Sequence, residues 1–380
     1  MADQQKHFII VAGEASGDMH AAHLVEAMRR LDPSITFSGL GGPQMESLGV
    51  RLYFDMTKIA VVGFVEVLKH YKKFKEIFTL ILQKCDEIKP AAVILVDYPG
   101  FNLRLAVELK KRNIKVIYYI SPQVWAWKKN RVYTIQKSVD KMLVLFQFEK
   151  DFYAKFGIDV DFVGHPLVDI VKTSQPKEQF LSSLNLNPKE LTIGLLPGSR
   201  QKEIETLLPV MLDASRILLN KHPKAQFLLI KAPTIERPLL EKYLEKFPIK
   251  LSIIEQATYD GINACDFCMV ASGTATLETA ILEKPMVVVY KTSLLTWILA
   301  KLLVKIPNIG LVNVVAGKRV VPECIQFQAT GKNIAEEIER FIIDENKTSL
   351  IKEELKKVRK SLGAGGSGSN AALRILGLDR

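Results

Sequence analysis

Short apolar runs alternate along this chain with longer stretches of mixed polarity. Runs rich in Val, Ile and Leu are typical of strands buried on both faces, and the stretches between them have helical spacing. The predicted strands cover residues 8–12, 91–96, 116–120, 142–145, 192–196, 226–230, 253–254, 267–270 and 286–290. Such alternation predicts an α/β protein whose parallel sheets are covered by helices.

The alternation stops near residues 173–189 and then starts again, which predicts two domains. That stretch is polar and carries two prolines. We predict a first Rossmann-like domain over 1–172, a second over 173–345, and C-terminal helices over 346–380 that pack back on the first. Because ligands of such domains bind at the carboxyl ends of the strands, we expect a central cleft between the two.

Composition narrows the class of partner. Hydrophobic residues make up 48% of the 380 positions and charged residues 24%, which is typical of a globular protein. The formal net charge of +11 favours a phosphorylated ligand or an acidic membrane surface. We expect no nucleic-acid partner, because the chain has no RNA-binding aromatic motif. We also expect no secretory signal and no spanning helix, since no apolar stretch reaches about 18 residues.

The cysteines indicate structure and not chemistry. Cys265 and Cys268 form a CxxC pattern, but no second pair or nearby histidines complete a zinc set. The pattern lies in a run that resembles a buried strand, where cysteine is common. We therefore expect no metal and no cofactor.

Two turns of small residues follow predicted strands and open predicted helices. They read PGSR at 197–200 and ASGTATLE at 271–278. Backbone N–H groups and the helix dipole favour phosphate at such turns, and an arginine fork adds a fixed cation. We predict a site for a nucleoside diphosphate sugar, in which Glu278 accepts hydrogen bonds from sugar hydroxyls. Its residues are Gly198, Ser199, Arg200, Ser272, Gly273, Thr274 and Glu278.

The turn after the first strand has a different character. It reads GEASGD at 13–18 and so carries two carboxylates and a hydroxyl, which repel a diphosphate but suit sugar hydroxyls. We predict that Glu14, Ser16, Asp18 and the following His20 bind the acceptor. The alternative is that the acidic residues only cap a helix.

Asp97 ends the apolar run 93–96 and precedes a proline turn. A carboxylate at the tip of a buried parallel strand is partly desolvated, which raises its pKa and suits a general base. A capping aspartate is the alternative interpretation. Other candidate bases are Glu14, His20, His23 and His165. Asn313, Glu323 and Gln326 are weaker candidates for ligand contact.

Two apolar segments, 59–68 and 294–305, lie beside lysines. Both are too short to span a bilayer, and lysines next to apolar surface are typical of interfacial helices. We predict membrane docking through Val62, Phe64, Val65, Leu68, Trp297, Ile298 and Leu302. Ordinary core helices and contact between two copies of the chain, as a homodimer, are the alternatives.

These motifs together resemble lipid-A-disaccharide synthases. SPQVWAWKKNRV at 121–132 and FVGHP at 162–166 join the turns at 13–18, 197–200 and 271–278, in matching order along nearly the whole chain. The resemblance implies a GT-B fold and an inverting, metal-independent glycosyltransferase in the cytoplasm, peripheral on the inner face of a bacterial inner membrane. It implies that UDP-2,3-diacylglucosamine reacts with 2,3-diacylglucosamine 1-phosphate (lipid X) to give UDP and a β-linked disaccharide phosphate, a lipid A precursor.

The resemblance also implies roles for single residues. It places the family's catalytic aspartate on Asp97, its arginine on Arg200 and its cleft asparagine on Asn313, and we add Glu14 from its position. Asp97 would deprotonate the acceptor hydroxyl while Arg200 stabilises the departing diphosphate. Two other functions stay open: a UDP-sugar epimerase of GT-B fold, or a non-catalytic membrane protein that binds lipid or nucleotide.

Overall fold

The computed structural model describes residues 6–60, 71–127, 129–247, 249–294, 296–298 and 307–378 of the chain. The chain divides into two compact units. The first comprises Met1–Pro166 with Ala364–Arg380, and the second comprises Leu167–Gly363. Each unit is built on one parallel sheet accompanied by helices, so the predicted α/β architecture with two Rossmann-like domains is confirmed.

The sheet of the first unit has seven parallel strands in the described residues. They are β1 His7–Ala12, β2 Thr36–Gly41, β3 Arg51–Asp55, β4 Ala92–Val96, β5 Val116–Tyr119, β6 Lys141–Val144 and β7 Asp161–Phe162. Their order is β3-β2-β1-β4-β5-β6-β7. Strands β2 and β3 therefore lie on one side of β1, and β4 to β7 lie on the other side. β1 and β4 therefore form the switch point of the sheet, with Ala12 paired to Val96.

Apolar side chains fill the space between this sheet and its helices. The helices are α1 Ala15–Leu31, α2 Pro43–Ser47, α3 Thr57–Ala60, α4 Tyr71–Ile88, α5 Pro99–Lys111, α6 Arg131–Ser138 and α7 Gln147–Ala154. Val11 of β1 and Leu95 of β4 share one buried cluster with Ile81 of α4 and Leu105 of α5. β4 is buried along its whole length, as the continuous apolar run predicts for a central parallel strand.

The second unit repeats this plan. In the described residues its sheet comprises β8 Thr192–Leu196, β9 Gln226–Ile230, β10 Ser252–Ile254, β11 Phe267–Ala271, β12 Met286–Tyr290 and β13 Glu323–Ile325. The helices are α8 Leu167–Ile170, α9 Lys177–Ser183, α10 Gln201–Lys221, α11 Arg237–Leu244, α12 Thr258–Ala264, α13 Ala275–Ile281, α14 Leu311–Ala316, α15 Gly331–Ile343 and α16 Glu345–Ser361. The strand order β10-β9-β8-β11-β12-β13 puts the switch point between β8 and β11.

The C-terminal helices divide between the units. The last helix, α17 (Ser367–Leu376), packs on α1 of the first unit, and its Asn370 Nδ2 donates to the Val163 carbonyl oxygen at 3.0 Å. Helix α16 instead packs against α13 and α14 of the second unit. The prediction that all of 346–380 packs on the first domain is thus wrong for α16.

The predicted linker is an ordered part of the second unit. Residues 173–189 contain α9, which packs against α12. The Asp260 carboxylate of α12 accepts the backbone N–H of Ser174 at 2.7 Å and its hydroxyl at 2.5 Å. The division between the units falls earlier than predicted, between Pro166 and Leu167.

The turn at 13–18 overlaps the start of the first helix. Helix α1 begins at Ala15, and Glu14 is its N-cap residue with extended backbone. Ser16 and Asp18 therefore lie in the first helical turn and not in a free loop. Small and acidic residues are tolerated in a first turn, where they complement the helix dipole.

Gly39 in β2 lies where a side chain would meet the neighbouring strand. Its φ is +156°, the β2–β3 register shifts between Gly39 and Leu40, and an added Cβ would lie 1.9 Å from the Ile10 carbonyl oxygen. We predict that Gly39→Ala lowers the free energy of unfolding by about 2–4 kcal/mol, as measured by urea denaturation.

Gly100→Ala is the matched control. A Cβ at Gly100 would meet no atom within 4 Å, and the residue lies in the first turn of α5. Alanine there should leave stability unchanged or raise it by up to about 1 kcal/mol. A Gly39→Ala protein as stable as the control would contradict the close β1–β2 contact.

Candidate functional site

Each switch point gathers one set of predicted site residues. In the first unit, the segments that follow β1 and β4 start side by side because Ala12 pairs with Val96. These segments carry Glu14 and Asp97. In the second unit, β8 and β11 pair in the same way, and their segments carry the turns at 197–200 and 271–278. Carboxyl ends of strands at a switch point are where doubly wound sheets bind ligands.

Asp97 lies in a strained turn that is held by hydrogen bonds. Asp97 and Tyr98 both have left-handed backbone, with φ of +47° and +46°, which costs roughly 1–3 kcal/mol for each non-glycine residue. Asn102 Nδ2 donates to the Asp97 carbonyl oxygen at 2.8 Å, and the Tyr118 hydroxyl donates to the same oxygen at 2.6 Å. The Tyr98 ring covers Gly13 so closely that an added Cβ would lie 2.2 Å from it. These contacts keep the Asp97 side chain at the end of β4.

The environment of Asp97 favours a base that works near neutral pH. Burial raises the pKa of the Asp97 carboxyl to about 6, and the negative charge of Glu14 adds to the shift. Glu14 itself is exposed at the start of α1. The two carboxyl groups therefore differ in solvation, which is the arrangement that separates the roles of paired acids.

Asp18 is committed to the protein's own backbone. Its Oδ1 accepts the N–H groups of Gly42 and Met45 at 2.8 and 3.2 Å, and its Oδ2 accepts that of Gln44 at 2.9 Å. Because these amides open α2, the carboxylate caps that helix from α1. The capping alternative given for the acidic residues thus describes the contacts of Asp18, and its predicted acceptor binding stays a prediction.

Ser16 and His20 lie further along α1. Ser16 is exposed, whereas His20 is mostly buried and its Nδ1 has no hydrogen-bond partner among the described residues. Burial, with the charge of His23 second, lowers the pKa of His20 to about 4, so the ring is neutral near pH 7. The pKa of His165, whose ring packs on Phe146, is lowered to about 4 by burial as well. The acceptor-binding roles of Ser16 and His20 stay predictions.

A cavity of about 530 Å³ lies at the switch point of the second unit. All of the residues that the sequence predicts for donor binding line it: Gly198, Ser199, Arg200, Ser272, Gly273, Thr274 and Glu278. Lys231 and Tyr259 also line it, and sequence reasoning did not select them. The available signal was the position of Lys231 directly after β9, at the same edge of the sheet.

Glu203 organises the turn before α10. Its Oε2 accepts the backbone N–H groups of Ser199 and Arg200 at 2.9 and 3.3 Å. The Arg200 guanidinium, 82% exposed, contacts Oε1 at 3.2 Å. Gly198 has a φ of +118°, and an added Cβ would lie 2.3 Å from Glu203 Oε2, so only glycine fits. An anion that binds these amides must therefore displace the Glu203 carboxylate.

Glu278 and Tyr259, both half-buried, also line the cavity. Burial raises the pKa of Glu278 above its usual range. Burial, with the charge of Glu278 second, raises the pKa of Tyr259 to about 12, so this hydroxyl stays protonated. The pair offers an acceptor and a donor of hydrogen bonds to a sugar or base.

Asn313 lies in α14 and is held by hydrogen bonds within the protein. It is fully buried, its Nδ2 donates to the Val321 carbonyl and to Glu323 Oε1 at 2.9 and 2.8 Å, and its Oδ1 accepts from Val320 and Val321 at 2.8 and 3.0 Å. All of its hydrogen-bonding capacity is used within the protein. These hydrogen bonds fix the place of Asn313 in the fold, and the catalytic role that the resemblance implies stays a prediction. Glu323 also accepts the Gly310 N–H at 2.9 Å.

The apolar segments are described only in part. Val62, Phe64, Val65, Leu68 and Leu302 lie outside the described residues. Leu294 and Ile298 are 56% and 48% exposed, and Trp297 is half-buried. Among the described residues, no helix has the length and hydropathy that crossing a bilayer requires.

Metal-ligating side chains do not gather in the described part of the chain. No group of three or more His, Cys, Asp or Glu is placed there to hold a metal ion. Cys265 and Cys268 are buried thiols, and burial raises the pKa of Cys265 far above its usual range. Both sulfurs lie next to Gly194 of β8, where they fill the space under the strand.

Comparison with known families identifies relatives over nearly the whole chain. The sequence model of the family described as "Lipid-A-disaccharide synthetase" matches residues 8–374. The lipid-A-disaccharide synthase of Syntrophus aciditrophicus is 44% identical over 98% of this chain and 98% of its own. That of Geobacter metallireducens is 42% identical over 99% of this chain and 98% of its own.

Solved structures with the same fold are distant in sequence. A UDP-GlcNAc 2-epimerase from Neisseria meningitidis, solved with UDP-GlcNAc, has a TM-score of 0.61 at 14% identity, over 98% of this chain and 100% of that one. A glycosyltransferase of kitacinnamycin has a TM-score of 0.65 at 13% identity, over 98% and 99%. The calicheamicin glycosyltransferase CalG4 has 0.64 at 13%, over 98% of both. These neighbours confirm the predicted GT-B fold and nothing finer.

The hydrogen bonds of Asn313 lead to a prediction about stability. Asn313→Ala leaves the Val320 and Val321 amides and Glu323 without their partner, so we predict a loss of about 2–4 kcal/mol in the free energy of unfolding. Urea denaturation, with nucleotide binding measured on the folded fraction, tests this. An Asn313→Ala protein of unchanged stability that loses only turnover would contradict this prediction and support a catalytic role for Asn313.

Proposed function

This chain belongs to the lipid-A-disaccharide synthase family, and we propose that it joins UDP-2,3-diacylglucosamine to 2,3-diacylglucosamine 1-phosphate. The products are UDP and a β-linked disaccharide 1-phosphate, with inversion at the anomeric carbon. One observation carries the assignment of the donor: every residue that the motifs predict for the nucleotide sugar lines the same cavity in the second unit.

We propose Asp97 as the general base. In this role its carboxylate takes the proton of the acceptor's primary hydroxyl, and the oxygen attacks the anomeric carbon from the face opposite the diphosphate. The raised pKa supports the role, because a base with a pKa of about 6 is ionised at neutral pH and still binds a proton well. Hydrogen bonds to the main-chain carbonyl of Asp97 fix its backbone, which limits movement of the carboxylate during proton transfer.

The other candidate bases fit less well. His20 has a pKa of about 4, which makes it a weaker proton acceptor at neutral pH than Asp97. Glu14 is exposed, so water competes for its hydrogen bonds. We propose that Glu14, Ser16 and His20 hold acceptor hydroxyls instead.

Arg200 is the proposed stabiliser of the leaving diphosphate. Its guanidinium is exposed and pairs with Glu203, an arrangement worth little in water and therefore readily exchanged. Phosphate oxygens would replace Glu203 at Arg200 and at the amides before α10, where the helix dipole favours charge. Gly273 and Thr274 line the cavity from the other strand, and Glu278 would accept the ribose hydroxyls.

Membrane docking remains part of the proposal. The proposed acceptor and donor carry acyl chains, which partition into a bilayer. The exposed Leu294 and Ile298 lie in a segment whose sequence continues with lysines. We propose that this segment rests on an anionic cytoplasmic membrane surface. A second copy of the chain is the alternative occupant of the same surface.

The central experiment is an end-point assay in mixed micelles with both lipid substrates, followed by mass spectrometry. We predict equal amounts of UDP and disaccharide phosphate, and a loss of about 10²–10⁴-fold in kcat for Asp97→Asn. Because the base must be deprotonated, kcat/KM of the wild type should fall about tenfold per unit below pH 6 and level off above it.

Asp159→Asn is the control, since Asp159 is an exposed aspartate of the same unit. It should keep full activity. Interconversion of UDP-sugars without disaccharide would support the epimerase, and UDP binding without any turnover would support a binding protein. Full activity in Asp97→Asn would assign the base to another group.

Docking predicts a separate result with vesicles. We expect Leu294→Ser with Ile298→Ser to weaken binding to anionic vesicles about tenfold, while UDP affinity is unchanged. The double variant Ile343→Ser with Leu350→Ser is the matched control, because these residues are 74% and 68% exposed elsewhere in the second unit. Docking through this segment would be contradicted if both double variants lost vesicle binding equally. It would also be contradicted if the first variant bound vesicles normally and sedimentation showed only the loss of a dimer.

A further inference from the structure

The Glu203 carboxylate occupies the groups of the donor cavity that suit an anion. Its Oε2 accepts the backbone N–H groups of Ser199 and Arg200 at 2.9 and 3.3 Å, and its Oε1 lies 3.2 Å from a guanidinium nitrogen of Arg200. Glu203 also lines the cavity of about 530 Å³ together with the residues proposed for donor binding. Backbone amides before a helix and a guanidinium are groups that bind phosphate oxygens. An anion that belongs to the chain itself therefore lies where we propose the diphosphate of the donor.

The turn keeps its hydrogen bonds without this carboxylate. The Glu203 N–H donates to the Arg200 carbonyl at 2.9 Å, and the Ile204 N–H donates to the same oxygen at 3.1 Å, so the first turn of α10 closes through backbone alone. The Thr234 hydroxyl donates to the Ser199 carbonyl at 2.6 Å and holds the turn from the segment after β9. Because none of these bonds involves the Glu203 side chain, that side chain can rotate away while the amides stay in position.

The contacts of Glu203 are ones that an incoming diphosphate can replace. Its side chain is 26% exposed and that of Arg200 is 82% exposed, so water reaches the ion pair, which adds little to stability. A diphosphate brings more negative charge and more acceptor oxygens to the same donors. The carboxylate and a phosphate cannot share these amides, because like charges at contact distance repel. Binding of a nucleoside diphosphate therefore includes the cost of moving Glu203.

We propose that Glu203 is an internal competitor of the donor diphosphate: its carboxylate binds the turn amides and Arg200 in the empty site, lowers the affinity for UDP and favours release of UDP after transfer. This inference rests on the proposed function, in which UDP is the product that must leave. The competition depends on the ligand. A nucleoside without phosphate leaves Glu203 in place, whereas a nucleoside diphosphate must displace it.

Capping of α10 is the other role that Glu203 can have, and the two roles predict opposite changes in affinity. A residue that only caps the helix stabilises the turn, so its removal would disorder the amides and weaken UDP binding. A competitor opposes the ligand, so its removal strengthens UDP binding. The direction of the change in UDP affinity therefore decides between the two roles.

Glu203→Gln tests the inference by titration calorimetry with UDP, inorganic pyrophosphate and uridine. Glutamine keeps one acceptor oxygen for a turn amide but carries no charge, so it competes less. We expect the Kd of UDP and the Kd of pyrophosphate to fall about 3- to 10-fold, because one negative charge beside the diphosphate is removed. The Kd of uridine should change by less than about twofold. In the micelle assay, UDP should inhibit Glu203→Gln more strongly than the wild type by the same factor.

Two further variants control for charge and for folding. Glu205→Gln removes the same charge from an exposed glutamate of the same helix, which accepts the Gln201 side-chain amide at 2.8 Å, and its UDP affinity should equal that of the wild type. Glu203→Ala removes the carboxylate entirely. It should bind UDP at least as tightly as Glu203→Gln, although loss of the cap lowers its melting temperature.

Unchanged or weaker UDP binding by Glu203→Gln would overturn the inference. An equal gain in affinity in Glu205→Gln, or an equal gain for uridine, would also overturn it. These affinities require no turnover, so the proposed function is tested separately. A wild type that binds UDP but forms no disaccharide would overturn the proposed function, whereas tighter UDP binding by Glu203→Gln would still support the competition.

Discussion

The pairing of β1 with β4, and of β8 with β11, is the constraint on which both sites depend. At each pair the strand order reverses, so later strands are added on the other side of the sheet. The segments that follow the two paired strands begin at the same edge of the sheet and run to opposite sides of it. Parallel pairing in register aligns the carboxyl ends of the strands, as Ala12 with Val96 shows. The side chains that follow these ends are therefore close in space although about 80 residues separate them along the chain.

Carboxylates that lose contact with water on folding differ in the partners that surround them. Asp18 and Glu323 are surrounded by backbone and side-chain N–H donors, which offset the loss of water, and they hold loops in place. Asp97 differs from them: the Tyr98 backbone amide opposes the rise of its pKa, and burial still raises that pKa to about 6. The hydrogen-bonded carboxylates make the structure rigid. The raised pKa of Asp97 suits a group that gains and loses a proton near neutral pH.

The sequence predicts nine of the thirteen described strands, and the two turns of the second unit, because those signals are local; β2, β3, β7 and β13 were not predicted. Runs such as 92–96 are apolar throughout, and the turn at Gly198 requires a positive φ that only its neighbours in sequence determine. The hydrogen bonds of Asp18 and Asn313 could not be predicted, for the opposite reason. Their partners come from other segments, at Gly42 to Met45 and at Val320 to Glu323, and no local pattern shows that a polar side chain is already saturated.

The same limit explains why Asn102 and Tyr118 were missed. Both donate a hydrogen bond to the main-chain carbonyl oxygen of Asp97. A side chain that binds only backbone belongs to no sequence motif that indicates chemistry. Fold comparison does not supply this knowledge either, because epimerases and glycosyltransferases share the architecture at 13–14% identity. The number of hydrogen-bond donors around the carboxylate distinguishes Asp97, the proposed base, from Asp18, which caps a helix. That quantity becomes visible only when the strands that bring the donors together are in place.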